Sequence, residues 1–168
     1  MDNVQVGILM GSDSDLPKMK KAAEVLDSFG VRYFMTVASA HRTPERVIEI
    51  AKQAESDGWK VLIAGAGMAA HLAGFLAAHT VVPIVGVPMD TSSLGGIDAL
   101  LSTVQMPGGV PVACMGLGSS GAKNAGLFAV EMLACFDAGL RQKLNDYRKE
   151  QRALIEKKAK EVENQADF

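Results

Sequence analysis

Residues 4–10 read VQVGILM and residues 60–65 read KVLIAG. From Val6 and from Val61 onward these runs are apolar at consecutive positions, with no polar residue at every second place. Successive side chains of a strand point to opposite faces of the sheet. A strand apolar on both faces must therefore be covered on both, as in a parallel sheet held between two helical layers. VRYFMTV (31–37), PIVGVP (83–88) and VPVACM (110–115) have the same length and character. Between the five runs lie helical patterns at about 17–28, 44–56, 69–79, 94–103 and 122–134. Strand and helix alternate, and right-handed crossovers then leave little but an α/β doubly wound sheet. Five strands predict a three-layer, flavodoxin-like order, 2-1-3-4-5.

Residues 137–168 follow as one long charged helix with an incomplete apolar stripe, Leu140, Leu144, Tyr147, Leu154 and Ile155. The expected organisation is a single domain over 1–168, with its core at about 1–136 and a helical extension at about 137–168. The extension is expected to lie on a neighbouring subunit, or its last dozen residues to fray in solvent. With 168 residues, 48 % of them hydrophobic, the chain can bury one sizeable core. Its formal charge of -2 provides no basic field to gather nucleic acid or an anionic membrane. No stretch approaches the ~20 apolar residues of a membrane span, and the beginning does not read as a secretory leader. A cytoplasmic protein is expected. Cys114 and Cys135 form no Cys-x-x-Cys pair, so two buried thiols are expected and neither a metal site nor a redox motif.

In an open parallel sheet ligands bind beyond the carboxyl ends of the strands, where the strand order reverses. The loops after the first three strands read GSDSD (11–15), SAHRT (39–43) and AGAGMAAH (64–71). Gly11 and Ser12 before a helix let a phosphate approach backbone amides with a hydroxyl to help. Asp15 would repel that phosphate and suits ribose hydroxyls; ordinary capping explains the same residues equally well. Thr43 is expected to cap the helix that Pro44 begins, which leaves His41 and Arg42 at the mouth of the crevice. Arginine supplies a fixed fork for phosphate, and an imidazole can both give and take a proton. The glycines of the third loop imply close backbone approach to a ligand, without the spacing of a dinucleotide fingerprint or a P-loop. His71 can face the same pocket, and His79 falls at the far end of its helix, as a capping residue or dipole partner. These parts point to proton transfer on a phosphorylated small molecule; the reaction itself does not follow from them.

Several stretches occurring in order carry a resemblance: MGSDSD (10–15), SAHRTP (39–44), AGAGMAAHLAG (64–74), VPIVGVP (82–88), STVQMPGGVPVA (102–113) and GAKNAGLFA (121–129). Together they closely resemble the class I 5-(carboxyamino)imidazole ribonucleotide mutase family of de novo purine synthesis, over nearly all the chain up to about Arg152. The resemblance implies a flavodoxin-type isomerase. It would move a carboxylate from the exocyclic nitrogen of an aminoimidazole ribonucleotide to ring carbon 4, with no cofactor and no metal. It further implies a homo-octamer whose 105–109 loop, QMPGG, helps close a neighbour's pocket. Ser12, Ser39 and Arg42 would hold the phosphate and Asp15 the ribose, with Gly67 and Leu72 also against the substrate. His41 would be the catalytic acid and base, and His71 a second catalytic histidine. This sequence departs from the family at Met68, where Gly is usual, and at Ala73, where Pro is usual. Two other readings stay open: a relative of the same fold that uses free carbon dioxide, and a non-catalytic module that binds a phosphorylated metabolite. In the former the second loop tends to read Ser-Ala-His-Lys, so Arg42 and His71 favour the mutase.

Overall fold

The computed structural model describes residues 3–165. The first strand, β1, is Val6–Met10, and a 3-10 turn at Asp13–Asp15 leads into helix α1, Leu16–Phe29. There follow β2 (Tyr33–Val37), α2 (Pro44–Ser56), β3 (Val61–Gly67), α3 (Leu72–Ala77), β4 (Ile84–Met89), α4 (Ile97–Val104), β5 (Ala113–Cys114), α5 (Gly118–Ala134) and α6 (Ala138–Glu163). All strand pairs are parallel and their order is β2-β1-β3-β4-β5, the flavodoxin-like arrangement expected from the alternation.

Burial follows position in the sheet. Every residue of β1 and β4 and the first five of β3 are buried, as strands covered on both faces must be. β2 is an edge strand and is only half-buried. β5, expected over six residues, reaches only two: it pairs with Val85 and Gly86 and no further. Pro111, which has no N–H to donate, precedes it. One layer of the core joins Leu9, Leu62, Leu72, Leu76 and Ile84 to Val47, Ala51 and Trp59. Each aliphatic side chain fully withdrawn from water there contributes about 1.5–3 kcal/mol.

Helix α1 begins with Pro17 in its first turn and stops at Gly30, whose left-handed φ of 73° lets its N–H return to the helix carbonyls. Helix α2 starts at Pro44 as expected, but Thr43 does not cap it through its side chain. The Thr43 hydroxyl turns back instead, accepting from the Ser39 N–H at 3.0 Å, because this closes the tight 39–43 loop. His79 meets its expectation at the end of α3: its Nδ1 lies 2.7 Å from the Phe75 carbonyl. Cys114 is half-buried, which raises its thiol pKa, but Cys135 is exposed at the end of α5 and corrects the expectation of two buried thiols.

The chain divides between Ala129 and Val130 into two compact units. In the second, the Asp137 carboxylate accepts from the Leu140 N–H at 3.0 Å and caps α6. Arg141 donates to the Ala134 and Cys135 carbonyls, and Arg148 pairs with Glu131 at 2.6 Å. α6 is about 39 Å long at the usual helical rise. Leu140 and Leu144 are buried, whereas Leu154 and Ile155 are exposed. The helix remains formed to Glu163; the last part of the expected fraying segment, 166–168, lies outside the described residues.

In the first unit α5 and α1 approach at Gly126, where a Cβ would sit 2.8 Å from the Ala22 carbonyl oxygen and 3.0 Å from Val25 Cβ. Gly126→Ala gains about 0.5–1 kcal/mol of intrinsic helix preference. Overpacking against a rigid helix backbone costs about 1–3 kcal/mol and prevails. Urea unfolding of this variant is expected to show a lower midpoint than the parent.

Candidate active site

Because the strands are parallel, their carboxyl ends share one edge, and the pairing aligns them closely. Met10 stands opposite Val37 on one side and Gly65 on the other. Past the last pairs the Gly11 N–H still donates to the Gly65 carbonyl at 3.0 Å, and the Ala38 N–H to the Met10 carbonyl at 2.9 Å. Three loops therefore leave the sheet side by side. They enclose a cavity of about 490 Å³, within the usual range for small-molecule sites.

The first loop contributes Gly11, Ser12, Ser14 and Asp15 to the lining. The Ser12 hydroxyl accepts from the Ser14 amide at 3.3 Å and the Ser14 hydroxyl at 2.9 Å, which holds the turn. The second loop contributes Ser39, Ala40, His41 and Arg42. Arg42 donates through Nη2 to the Gly11 carbonyl at 2.9 Å, and through its backbone N–H to the Ser39 hydroxyl at 3.2 Å. The guanidinium is thus strapped across the first loop beside Ser12 and Ser39. Only part of its five-donor fork is used by these bonds. The third loop contributes Gly67, Met68, His71 and Leu72. His71 Nδ1 lies 2.7 Å from His41 Nε2, with the two rings nearly perpendicular at 79°. At that distance one imidazole donates and the other accepts, so a proton lies between them.

All eight residues singled out from the sequence, Ser12, Asp15, Ser39, His41, Arg42, Gly67, His71 and Leu72, line this one cavity. The glycines require a correction. A Cβ on Gly65 would lie 2.5 Å from Met19 Sδ, and one on Gly67 would lie 2.6 Å from Thr91 Oγ1. Their bare backbones accommodate the protein's own side chains, and only Gly67 also meets the cavity. Thr91, from the loop after β4, lines the cavity too. Thr91 lies outside the three loops that the sequence singles out, although the rule that ligands gather at strand carboxyl ends takes in the loop after the fourth strand as well.

Asp15 is 4 % exposed. Burial raises its carboxyl pKa above the ordinary aspartate value, and the Lys18 charge and a hydrogen bond from Ser14 offset this only in part. Lys18 also pairs with Asp90, the residue before Thr91, and its hydrogen bond holds the Asp90 carboxyl below the usual range. The lysine thereby ties the start of α1 to the loop after β4. Among the described residues no three His, Cys, Asp or Glu side chains are grouped to hold a metal ion.

Sheet order, pocket position and lining define the class: a flavodoxin-like α/β protein with a hydroxyl-, arginine- and histidine-lined site at the strand ends. Comparison with known proteins then identifies the family. The AIR carboxylase family matches residues 5–153, and the chain belongs to it. It is 52 % identical to an N5-carboxyaminoimidazole ribonucleotide mutase of Pyrococcus horikoshii, over 94 % of this chain and 88 % of that protein. To the protein of the same name from Bacillus subtilis it is 51 % identical, over 89 % of this chain and 93 % of the other. The solved structure of Treponema denticola PurE superimposes with a TM-score of 0.83 at 31 % identity, covering 93 % of this chain and 97 % of that one.

A carboxylate whose pKa is raised on folding stabilises the fold when protonated and costs stability when ionised. The cost appears as pH rises through the raised pKa and is absent below the unfolded value. Asp15→Asn removes it. Thermal unfolding is expected to show a higher Tm for the variant than for the parent at pH 7, each kcal/mol regained being read as about 2–4 °C in a chain of this size. The gain should shrink towards zero as pH falls to the ordinary aspartate range.

Proposed function

We propose that the protein is a 5-(carboxyamino)imidazole ribonucleotide mutase of de novo purine (IMP) synthesis, working in the cytoplasm. It moves the carboxylate from the exocyclic nitrogen to ring carbon 4 and yields 5-amino-1-(5-phosphoribosyl)imidazole-4-carboxylate. The observation that carries this reading is the His41–His71 pair opening onto the same cavity as Ser12, Ser39 and Arg42. The chain around them is about half identical, over nearly its whole length, to proteins of that name.

In this reading the Arg42 fork and the Ser12 and Ser39 hydroxyls take the phosphate, as charge-assisted bonds to a planar guanidinium favour. Asp15 takes ribose hydroxyls, which donate to its carboxylate and compensate for its burial. Gly67 and Leu72 bound the base. Loss of carbon dioxide from the exocyclic nitrogen requires a proton there. The electron-rich carbon 4 then attacks the released carbon dioxide and must shed its own proton to restore the ring. One proton is given and one taken, so an imidazole at His41 ends as it began and serves both steps. His71, within hydrogen-bond reach, fixes the orientation of that ring and shares its proton. The aminoimidazole supplies the electron pair itself. A cavity that keeps carbon dioxide beside the ring completes the chemistry.

The family name and the names of the relatives point to two reactions, since an AIR carboxylase would use free carbon dioxide. Arg42 and the AGAGMAAH loop favour the mutase, and turnover of the carboxyamino substrate at low bicarbonate separates the two. His41→Asn is expected to lower kcat by about 10²–10⁴-fold, the usual worth of a positioned acid and base. Calorimetric affinity for the product should stay within about fivefold, since a group acting only in proton transfer adds little to ground-state binding. Loss of binding together with turnover would make His41 an anchor instead.

We infer further that the protein works as a homo-octamer, with the 105–109 loop of a neighbouring copy against the pocket. Support comes from α4: Ile97, Leu101 and Val104, together with Leu94 just before the helix, are 47–65 % exposed at helical spacing. Such an apolar stripe needs a partner. Met106 gives less support than expected, being half-buried beside its own chain's Gly74. Leu101→Asp should reduce the mass seen by light scattering and lower turnover at the same time. An active monomer would overturn the inference.

A further inference from the structure

Met68 has a φ of 55°, in the left-handed region where a Cβ crowds the following carbonyl and glycine is ordinarily found. Its side chain is 64 % exposed, so packing within the chain does little to offset that strain. Strain of this kind persists where the surroundings impose it, and it concentrates at ligand sites. Here the surroundings do impose it. On one side Gly67 is the last residue of β3 paired with β4, opposite Met89, and a Cβ there would lie 2.6 Å from the Thr91 hydroxyl oxygen and 3.3 Å from Met89 Cβ. On the other, the Ala69 carbonyl accepts from the His71 N–H at 2.9 Å. The chain between these fixed points turns left-handed at Met68 and leaves a large, flexible thioether on the cavity wall.

The polar groups suited to phosphate, Ser12, Ser39 and Arg42, come from the first two loops. Met68 belongs to the loop that carries His71, which meets His41 at 2.7 Å. It therefore shares its loop with one member of the proton-transfer pair, the other, His41, reaching across from the second loop. We propose that Met68 determines specificity for the base of the substrate: its side chain covers the flat aminoimidazole ring beside the two histidines and is withdrawn from water there. This rests on the reading of the site as one for an aminoimidazole ribonucleotide. Methionine suits the task, because an unbranched, polarisable thioether follows the face or edge of a ring at low steric cost. The strain in the free protein is offset when the ligand buries the side chain.

Titration calorimetry on the wild type, Met68→Ala and Met68→Leu decides the matter, with the product nucleotide and ribose 5-phosphate as separate probes. Alanine keeps a non-glycine backbone and removes the covering side chain; leucine restores most of it. The Kd for the product is expected to rise about 10-fold in Met68→Ala, equivalent to about 1.4 kcal/mol, and to stay within about twofold in Met68→Leu. The Kd for ribose 5-phosphate should be unchanged in both, and so should the mass by light scattering. Unchanged product affinity in Met68→Ala would overturn the proposal. So would equal losses for the two probes, which would put Met68 at the phosphoribosyl end, or a loss of mass, which would put it at a subunit contact. A wild type that binds ribose 5-phosphate but not the product would overturn the aminoimidazole reading and this proposal with it. A wild type that binds both, with Met68→Ala unaffected, would overturn this proposal alone.

Discussion

In a parallel sheet every strand ends at the same edge, and β1 is the strand on which that edge depends here. It pairs with β2 and with β3, and Met10 stands level with Val37 and with Gly65. The ladder extends one residue further on each side, through Gly11 to Gly65 and Ala38 to Met10. A slip of one residue in either pairing would exchange the two apolar faces of a closely packed strand, so that neither fits the helical layer it then meets. It would also displace one of the three loops relative to the others. The apolar cost of the slip therefore protects the alignment of polar residues that contribute little to the core themselves.

That protection matters because the loops are held to one another by few, directional contacts. Arg42 reaches the Gly11 carbonyl, His41 reaches His71, and Lys18 reaches Asp90. Each joins residues far apart in sequence, and each lies in or beside the cavity. Exposed ion pairs contribute little to stability. Their value lies in fixing geometry: a guanidinium across the first loop, two imidazoles at proton-sharing distance, and the loop after β4 drawn towards α1. Asp15 and Met68 show the opposite side of the same economy, one a carboxylate buried against its preference and the other a side chain on a left-handed backbone. Both are disfavoured in the free protein and both line the cavity, as expected where function and stability compete.

Much of this was legible in the chain. Continuous apolar runs at 4–10, 60–65 and 83–88 forecast strands buried on both faces, because a pleated strand has nowhere else to hide two apolar sides. Thr43-Pro44 marked the start of α2, since proline tolerates only the first helical turn. His41, Arg42 and His71 were recognisable as a group once the loops were assigned to one sheet edge. Family membership follows from motifs occurring in order over most of the chain.

What the sequence could not determine is decided by contacts between segments distant along it. One exception is local: the Thr43 hydroxyl closes its own loop on Ser39, four residues back, instead of capping α2, a choice between two neighbouring partners that residue type alone leaves open. Gly65 and Gly67 lack side chains to make room for Met19 and Thr91, a demand that no local pattern encodes. β5 shrinks to two residues, and Thr91 joins the cavity from a fourth loop. The left-handed turn at Met68 sits between the close packing of Gly67 against β4 and the backbone hydrogen bond from His71 to Ala69, against the residue's own preference. Periodicity and residue chemistry act locally and can be read along the chain; distances between loops, and the strain they impose, exist only once the sheet has brought those loops together.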